Sequence, residues 1–392
     1  MSMISVAEAM DRLFALVEPV GTEPVGLAQA SGRVLAEAVE ATRDQPPFAA
    51  SSMDGYAIKG IEAMRDAQFR VIGEAQAGRR FDGRVGAGQA VRIFTGAPVP
   101  DGADTVVIQE DTDRAGDMIT LRDTLEDGTN IRPAGGDFRI GDRIKAPRLL
   151  GPAEVALAAA MNHAALPVVR RPVVALISTG DELVMPGETP GPDQIVASNT
   201  FGLKAMLEAE GAVARILPAA RDTEASLRTA FALAESADLI VTIGGASVGD
   251  HDLVGRVAGE LGLDRAFYKV AMRPGKPLMA GRISGVPMIG LPGNPVSAMV
   301  CGHVFLRPVI RVMLGLPAAP LETRTMRLAA EVGPNGPRMH YMRAEVGPDG
   351  IRPFASQDSA LLSVLARAQA FLVRPPGAPA AQVGDAVEAL LF

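Results

Sequence analysis

The spacing of apolar residues changes along the chain, and each change indicates a different kind of structure. Residues 5–17 carry apolar side chains at helical spacing, and Ser5 with Glu8 forms a candidate capping box at the start of that helix. Residues 56–144 contain short β-type runs separated by Gly, Asp and Asn turns. A second helix is predicted over residues 152–165, with a proline at its start. We therefore predict a β domain inserted between two parts of one elongated, helical support, whose two helices pack together.

From residue 171 onward, continuous apolar runs alternate with helical patterns. Strands that alternate with helices form a parallel sheet covered on both faces, so this segment is predicted to be a doubly wound α/β domain. The predicted strands are residues 173–177, 213–217, 239–243, 267–270, 278–280 and 287–291, and the predicted helices are residues 198–210, 223–235, 252–261 and 295–314, the last with a kink at Pro308.

The end of the chain returns to short β runs, which predict a small, barrel-like C-terminal β domain. These runs are residues 325–329, 340–345, 370–374 and 386–390, with one short helix around residues 360–366. The fold class is therefore a multidomain α/β protein. Its predicted divisions are a support domain (residues 1–45 and 144–170), the inserted β domain (46–143), the α/β domain (171–320) and the C-terminal β domain (321–392).

Composition narrows the possible functions. The net charge is −7, so the chain lacks the overall basic character of a nucleic-acid-binding protein. The single cysteine, Cys301, excludes an internal disulfide and a Cys-rich zinc site, and its apolar neighbours indicate a buried thiol. The first ten residues lack a signal-peptide pattern, and the longest apolar stretch, residues 155–161, is too short to span a bilayer. We expect a cytoplasmic protein that binds neither nucleic acid nor membranes.

Loops that follow the predicted strands form the candidate site, because ligands of open α/β sheets bind beyond the carboxyl ends of the strands. Glycines and a helix start in these loops suit phosphate oxygens, since backbone N–H groups can approach them closely. The residues of this kind are Gly244, Gly245, Gly249, Gly293 and Asn294. Positive side chains can neutralise a phosphate or another oxyanion, and here they are Lys269, Arg273 and Lys276.

Four carboxylates, Glu182, Asp222, Asp250 and Asp252, occupy the same set of loops. Such a number is unfavourable for an anion site unless a cation is present, and Mg²⁺ takes oxygen ligands from carboxylates and from phosphates. Each feature alone has a second interpretation. Asp222 and Asp252 suit helix N-caps, and the Gly-Gly and Arg-Pro-Gly-Lys segments suit simple turns.

Three other kinds of site are not expected. The four histidines, His163, His251, His303 and His340, are isolated along the chain, which argues against Ser-His-Asp catalysis and against a His-rich zinc site. No Gly-x-Gly-x-x-Gly joins a strand to a helix, which argues against a nicotinamide site.

Five motifs, in order through essentially the whole chain, resemble those of the MoeA family, which also includes the E domain of gephyrin. They are Ser52-Met53-Asp54-Gly55-Tyr56-Ala57, Phe94-Thr95-Gly96-Ala97, Ser178-Thr179-Gly180-Asp181-Glu182-Leu183, Gly244-Gly245-Ala246-Ser247-Val248-Gly249-Asp250 and Leu291-Pro292-Gly293-Asn294-Pro295-Val296-Ser297-Ala298. In combination they are far more specific than any single glycine-rich loop.

The resemblance implies a molybdopterin molybdenumtransferase with a MogA-like α/β domain. Such an enzyme takes adenylylated molybdopterin and molybdate as substrates, uses Mg²⁺, releases AMP and places molybdenum on the dithiolene sulfurs. The implied catalytic residues are Asp54, Thr95, Glu182, Asp222, Lys269, Arg273 and Lys276, and the implied metal ligands are Glu182, Asp222, Asp250 and Asp252. The implied substrate-binding residues are Gly244, Gly245, Ser247, Gly249, Pro292, Gly293, Asn294, Pro295, Asp137 and Ser359.

The resemblance also implies an elongated homodimer in which the inserted domain of one subunit faces the α/β site of the other, and a contact with the molybdopterin adenylyltransferase. Two positions depart from the family pattern. Arg273 stands where the family often has Lys, and Gly136 replaces the Glu that often precedes Asp137. Whether Asp250 or Asp252 lies nearer the metal stays open. An adenylyltransferase and a scaffold protein remain the alternative functions.

Overall fold

The computed structural model describes residues 3–123, 125, 128–245 and 253–392. Helix α1 (Val6–Phe14) forms within the predicted segment, and the Ser5 hydroxyl accepts a hydrogen bond from the Glu8 N–H at 3.1 Å, as an N-cap does. The Glu8 carboxylate itself accepts from Arg12, at 2.6 Å. Half of the predicted capping box is therefore present.

The described part of residues 3–169 forms two large sheets and one further helix, α2 (Pro152–Ala160). It also forms two two-stranded sheets, one of Ala50–Ser51 with Ile131–Arg132 and one of Val39–Glu40 with Arg143–Ile144. A four-stranded sheet in the order β1-β14-β2-β13 lies next to α2, and a six-stranded sheet in the order β8-β5-β7-β6-β10-β9 forms the inserted segment. The strands are β1 (Thr22–Gly26), β2 (Val34–Leu35), β3 (Val39–Glu40), β4 (Ala50–Ser51), β5 (Gly55–Ile58), β6 (Gln68–Ala75), β7 (Gln89–Ile93), β8 (Thr105–Ile108), β9 (Thr112–Ala115), β10 (Met118–Leu121), β11 (Ile131–Arg132), β12 (Arg143–Ile144), β13 (Arg148–Leu149) and β14 (Ala165–Val169).

The predicted support domain (residues 1–45 and 144–170) contains more β-structure than expected. The predicted helix over residues 152–165 ends at residue 160, because Asn162 adopts a left-handed conformation (φ 74°) and the chain turns into β14. The predicted packing of α1 against α2 was wrong. The buried face of α1, which includes Met10 and Leu13, belongs to the core of the α/β domain, whereas Ala158 of α2 packs in a separate core.

The α/β domain has a six-stranded sheet in the order β18-β15-β19-β23-β22-β20, with a separate buried core on each face. The strands of this sheet are β15 (Val173–Ser178), β18 (Val213–Ile216), β19 (Leu239–Ile243), β20 (Asp264–Tyr268), β22 (Met279–Ile283) and β23 (Val286–Leu291). Three short strands of the domain lie outside it: β16 (Leu183–Val184), β17 (Ile195–Val196) and β21 (Met272–Arg273). Its helices are α3 (Asn199–Ala209), α4 (Glu224–Ala234), α5 (Leu253–Glu260), α6 (Pro295–Cys301) and α7 (Arg307–Met313).

The predicted fold class is confirmed, with one difference at the edge of this sheet. Strands β18, β15, β19 and β23 are parallel, but β22 and β20 run antiparallel to their neighbours. The reason lies in Ser284 and Gly285, which both have positive φ (49° and 85°) and so close a two-residue hairpin between β22 and β23.

The last helix of the domain is interrupted where a kink was expected. A π-helical segment, Gly302–Leu306, separates α6 from α7, and Pro308 follows directly in the first turn of α7. Proline has no backbone N–H to donate to the carbonyl four residues earlier, and the irregular turn before Pro308 accommodates this missing hydrogen bond. Within the described part of the chain, the combined helix Pro295–Met313 is long and apolar enough to cross a membrane, but 78% of it is buried, as in a core helix.

The C-terminal sheet contains β24 (Arg324–Arg327), β25 (Met339–Gly347), β26 (Gly350–Pro353), β27 (Ala370–Arg374) and β28 (Ala386–Leu391), with the short helix α8 (Leu362–Leu365). Strand β21 joins this sheet, since Met272 and Arg273 pair in parallel with Met339 and His340 of β25. The loop with the predicted basic residues is thereby held between the α/β domain and the C-terminal domain.

Candidate active site

Two of the predicted metal ligands lie in one acidic cluster at the end of β15. Glu182 folds back over Gly180, where a Cβ would lie only 2.5 Å from Glu182 Oε2. The backbone N–H of Asp222 donates to Asp181 Oδ1 at 3.1 Å. Burial, together with the charges of Asp181 and Glu182, raises the pKa of Asp222 above its ordinary value. The structure therefore brings Glu182 and Asp222 together and adds Asp181.

The chemistry of this donor set suits a divalent cation, because a positive charge beside Asp222 would offset the repulsion from Asp181 and Glu182 that raises the pKa of Asp222. In the described part of the chain, however, neither these three carboxylates nor any other three Asp, Glu, His or Cys side chains are grouped closely enough to hold a metal ion, so the cluster does not form a metal site by itself. The other two predicted ligands, Asp250 and Asp252, lie outside the described residues, as do Ser247 and Gly249.

The glycines after β19 and β23 meet at the same end of the sheet. Gly244 and Gly245 both have positive φ (88° and 63°), and a Cβ at Gly245 would lie 2.7 Å from the Thr179 hydroxyl. Gly293 approaches so closely that its Cβ would be 3.4 Å from the Gly244 Cα. The loops after β15, β19 and β23 are therefore in direct contact, as strand-end convergence predicted, and the space between them excludes larger side chains.

The segment from Pro292 to Pro295 is bound from two directions. From the α/β domain, Asn199 Nδ2 donates to the Gly293 carbonyl at 2.8 Å. From the C-terminal domain, Ser359 Oγ accepts from Asn294 Nδ2 at 3.3 Å, and the Ser359 carbonyl accepts from the Val296 N–H at 3.1 Å. Ser359, predicted as a substrate-binding residue, is thus placed beside the predicted Asn294 although 65 positions separate them.

Arg343 supports this arrangement from within the C-terminal domain. Its guanidinium, 1% exposed, donates to the Asp358 carbonyl at 2.7 Å and to Gln357 Oε1 at 3.3 Å. These bonds fix the two residues that precede Ser359. Arg343 was missed in the sequence, because it lies inside a strand and belongs to no motif.

The basic loop lies at the junction with the C-terminal sheet. The Val270 N–H donates to the Lys276 carbonyl at 3.0 Å and closes the loop, while Lys269 Nζ lies 5.1 Å from the centre of the Tyr268 ring. Arg273 lines a cleft of about 660 Å³ against the C-terminal sheet. Burial and the surrounding arginines, Arg273 first among them, hold the pKa of His340 down to about 4, which indicates a positive local potential suited to an anion.

Asp54 and Thr95 form a pair in the inserted domain. Asp54 Oδ1 accepts hydrogen bonds from the Thr95 N–H and from the Thr95 hydroxyl, each at 2.7 Å. These two bonds, the backbone one first, lower the pKa of Asp54 and keep it ionised. Asp137 lies in a separate turn of this domain, where its N–H donates to the Gln45 carbonyl at 2.9 Å. These contacts all lie within the inserted domain and its flanking segment.

Comparison with known proteins shows which family the chain resembles. Three family models match in order: the MoeA N-terminal region (domains I and II) at residues 4–162, a probable molybdopterin-binding domain at 175–312, and the MoeA C-terminal region (domain IV) at 325–392. A molybdopterin molybdenumtransferase from Haemophilus influenzae is 32% identical over 381 residues, which cover 95% of this chain and 94% of that protein. One from Nostoc sp. is 37% identical over 328 residues, or 80% of this chain and 75% of that protein.

Solved structures give the same result for the fold. The crystal structure of a molybdopterin biosynthesis MoeA protein from Pyrococcus horikoshii superimposes with a TM-score of 0.86 at 29% identity, over 100% of this chain and 99% of the other. The predicted family and the predicted enzyme class, a transferase, are confirmed. The chain belongs to the MoeA family of molybdenum cofactor biosynthesis.

Proposed function

We propose that this chain inserts molybdate into adenylylated molybdopterin, with Mg²⁺ as cofactor and AMP as the released product. The observation that carries the proposal is the convergence of an acidic cluster and a glycine-lined cradle on the strand ends of one sheet, with a basic loop in the same domain. A phosphorylated substrate, a divalent cation and a second oxyanion need these three kinds of surface together.

The residues divide the work by their chemistry. Backbone N–H groups around Gly245 and Gly293 suit the phosphates of the substrate, while the Gly244 N–H donates to the Leu291 carbonyl at 3.1 Å and holds the turn in place. Lys269, Arg273 and Lys276 suit molybdate. The carboxylates Asp181, Glu182 and Asp222, with Asp250 and Asp252, would hold Mg²⁺, which when bound supplies positive charge beside the phosphoryl oxygens. The substrate-binding roles of Pro292, Asn294, Pro295, Asp137 and Ser359 belong to the same proposal.

The proposal includes a homodimer with a shared active site. The hydrogen bonds of Asp54 and Thr95 lie within the inserted domain, so a second subunit that presents this pair to the strand ends would complete the site. We also propose the four domain divisions given by the sequence, a cytoplasmic location, and a contact with the adenylyltransferase that supplies the adenylate.

The activity is tested with purified protein, adenylylated molybdopterin, molybdate and Mg²⁺. The expected result is AMP release that stops when molybdate or Mg²⁺ is omitted. Consumption of ATP with free molybdopterin would favour an adenylyltransferase instead. If folded protein gives neither result, and Asp54→Ala and Asp222→Ala variants still support molybdoenzyme activity in cells, the scaffold alternative stands.

The shared site is tested by complementation between inactive variants. Asp54→Ala and Glu182→Ala proteins are mixed under conditions in which subunit exchange is demonstrated. Heterodimers would contain one site with both residues intact, so part of the activity should return. Exchange without recovery would count against a site built from two subunits.

A further inference from the structure

Among the described residues of the α/β domain, three buried side-chain oxygens have no hydrogen-bond partner: Thr179 Oγ1, Asn199 Oδ1 and Thr242 Oγ1. Unpaired buried polar atoms are unfavourable for stability, so each one needs an explanation. Two of the three belong to the strand-end region. Thr179 follows β15 directly, and Asn199 is the first residue of α3, whereas Thr242 lies inside β19.

Thr179 and Asn199 are connected to the same glycine loops. The Thr179 hydroxyl lies directly against Gly244 and Gly245, whose Cβ positions would be 3.2 and 2.7 Å from it. Asn199 holds the Gly293 carbonyl at 2.8 Å, and Gly293 in turn contacts Gly244. Both unpaired oxygens therefore adjoin the cradle assigned above to phosphate.

The Asn199 contact determines which atom is available. Since its Nδ2 donates to the Gly293 carbonyl, the amide cannot rotate without placing two oxygens against each other. Its Oδ1 is thus held as a hydrogen-bond acceptor, which would repel a phosphate oxygen and attract an O–H or N–H group. The Thr179 hydroxyl can donate, and it lies against the Gly244–Gly245 turn of the cradle assigned above to phosphate.

We infer that Thr179 and Asn199 are further substrate-binding residues, Thr179 for a phosphoryl oxygen and Asn199 for a hydroxyl or amino group of the nucleotide half of the substrate. The inference rests on the proposed function, because the nucleotide is the adenylate. Both oxygens are shielded from water, and the Gly244–Gly245 backbone is what lies against Thr179. Binding therefore has to move that backbone, which two glycines permit at low steric cost.

The test is the affinity of the protein for AMP in the presence of Mg²⁺, measured by titration calorimetry on the full chain. Thr179→Val keeps the shape of the side chain and removes only its hydroxyl, and the dissociation constant should rise about fivefold to tenfold. Asn199→Leu removes the acceptor together with the donor to the Gly293 carbonyl, and should weaken AMP binding by at least the same factor.

Thr242→Val is the matched control, because it removes the same buried, unpaired hydroxyl from the middle of a strand. The melting temperature should not fall in Thr179→Val or in Thr242→Val, since each loses an unsatisfied group. Of these two variants, only Thr179→Val should lose affinity for AMP. Equal AMP affinity in all three variants and the wild type would overturn the inference, and so would an equal loss in Thr179→Val and Thr242→Val.

The outcome is separable from that of the proposed function. If wild-type protein releases AMP from adenylylated molybdopterin while the variants bind AMP normally, the function stands and the roles of Thr179 and Asn199 are wrong. If wild-type protein neither binds nor releases AMP, the proposed function itself is wrong.

Discussion

Replacement of Gly275 by alanine tests how closely the basic loop, which carries Arg273 and Lys276, packs against the α/β domain. Gly275 has φ 109°, and a Cβ there would lie 2.5 Å from the sulfur of the buried Cys301 and 3.1 Å from Met272. The disfavoured backbone angle costs about 1–3 kcal/mol for a residue with a side chain. Overpacking against Cys301 adds about 1–3 kcal/mol. The expected sum is a loss of about 2–6 kcal/mol.

The assay is thermal unfolding of four proteins. Gly275→Ala should lower the melting temperature by about 5–15 °C. The double variant Gly275→Ala/Cys301→Ala should recover the overpacking share but not the backbone share, so it should melt above Gly275→Ala. Gly285→Ala is the control for backbone conformation alone, since Gly285 has φ 85° and nothing within 4 Å of its Cβ position. It should cost about 1 kcal/mol.

The same variants report on function, because the loop carries Arg273 and Lys276. A displaced loop should raise the KM for molybdate in Gly275→Ala, and Cys301→Ala in the same chain should restore part of it. If the double variant melts no higher than Gly275→Ala, the contact between Gly275 and Cys301 is not what excludes a side chain, and the reasoning is refuted.

Three further substitutions test the carboxylates and the arginine that supports the site. Asp222→Asn should abolish activity yet raise the melting temperature at pH 7 by about 1–2 °C. The reason is that the raised pKa of Asp222 means that its charged form is disfavoured in the folded state. The gain in melting temperature should therefore vanish as the pH falls to 3.8, the ordinary pKa of this carboxyl group. A gain that persists at low pH would contradict this. Thr95→Val should raise the pKa of Asp54 only part of the way back to its ordinary value, because the hydrogen bond from the Thr95 backbone N–H remains; an NMR titration measures this change. The same variant should lower activity about tenfold in a rate assay. Arg343→Lys loses the bond to the Asp358 carbonyl and should destabilise the protein by about 2 kcal/mol in urea unfolding, with a raised substrate KM; unchanged values would refute the supporting role.

The sequence predicted the central sheet well because burial on both faces leaves a clear signal. Strands such as Leu239–Ile243 are buried at every position, and their continuous apolar runs differ from the alternation of surface strands. The edge hairpin at Ser284-Gly285 was missed, although two residues of this type between apolar runs are a known hairpin signal. Strand Ala165–Val169 was missed, and one reason is that the alanine-rich segment before it favours a helix.

The strand-end rule also predicted much of the candidate site. It placed Glu182 near Asp222 and Gly244 near Gly293 from their positions after strands alone. It could not predict Asn199, whose role depends on a contact with Gly293 across 94 positions of sequence. A polar residue at a helix start has an ordinary interpretation as part of the cap, so its type carried no signal.

In the proposed function, cleavage of the adenylate and insertion of molybdenum are one coupled reaction at this site. The most direct measurement counts AMP released and molybdenum bound to the pterin in the same reaction, with molybdate and Mg²⁺ supplied to the purified protein. We expect one molybdenum bound for each AMP released, and loss of both in Glu182→Ala. AMP release at the same rate without molybdate, or without molybdenum on the pterin, would contradict it.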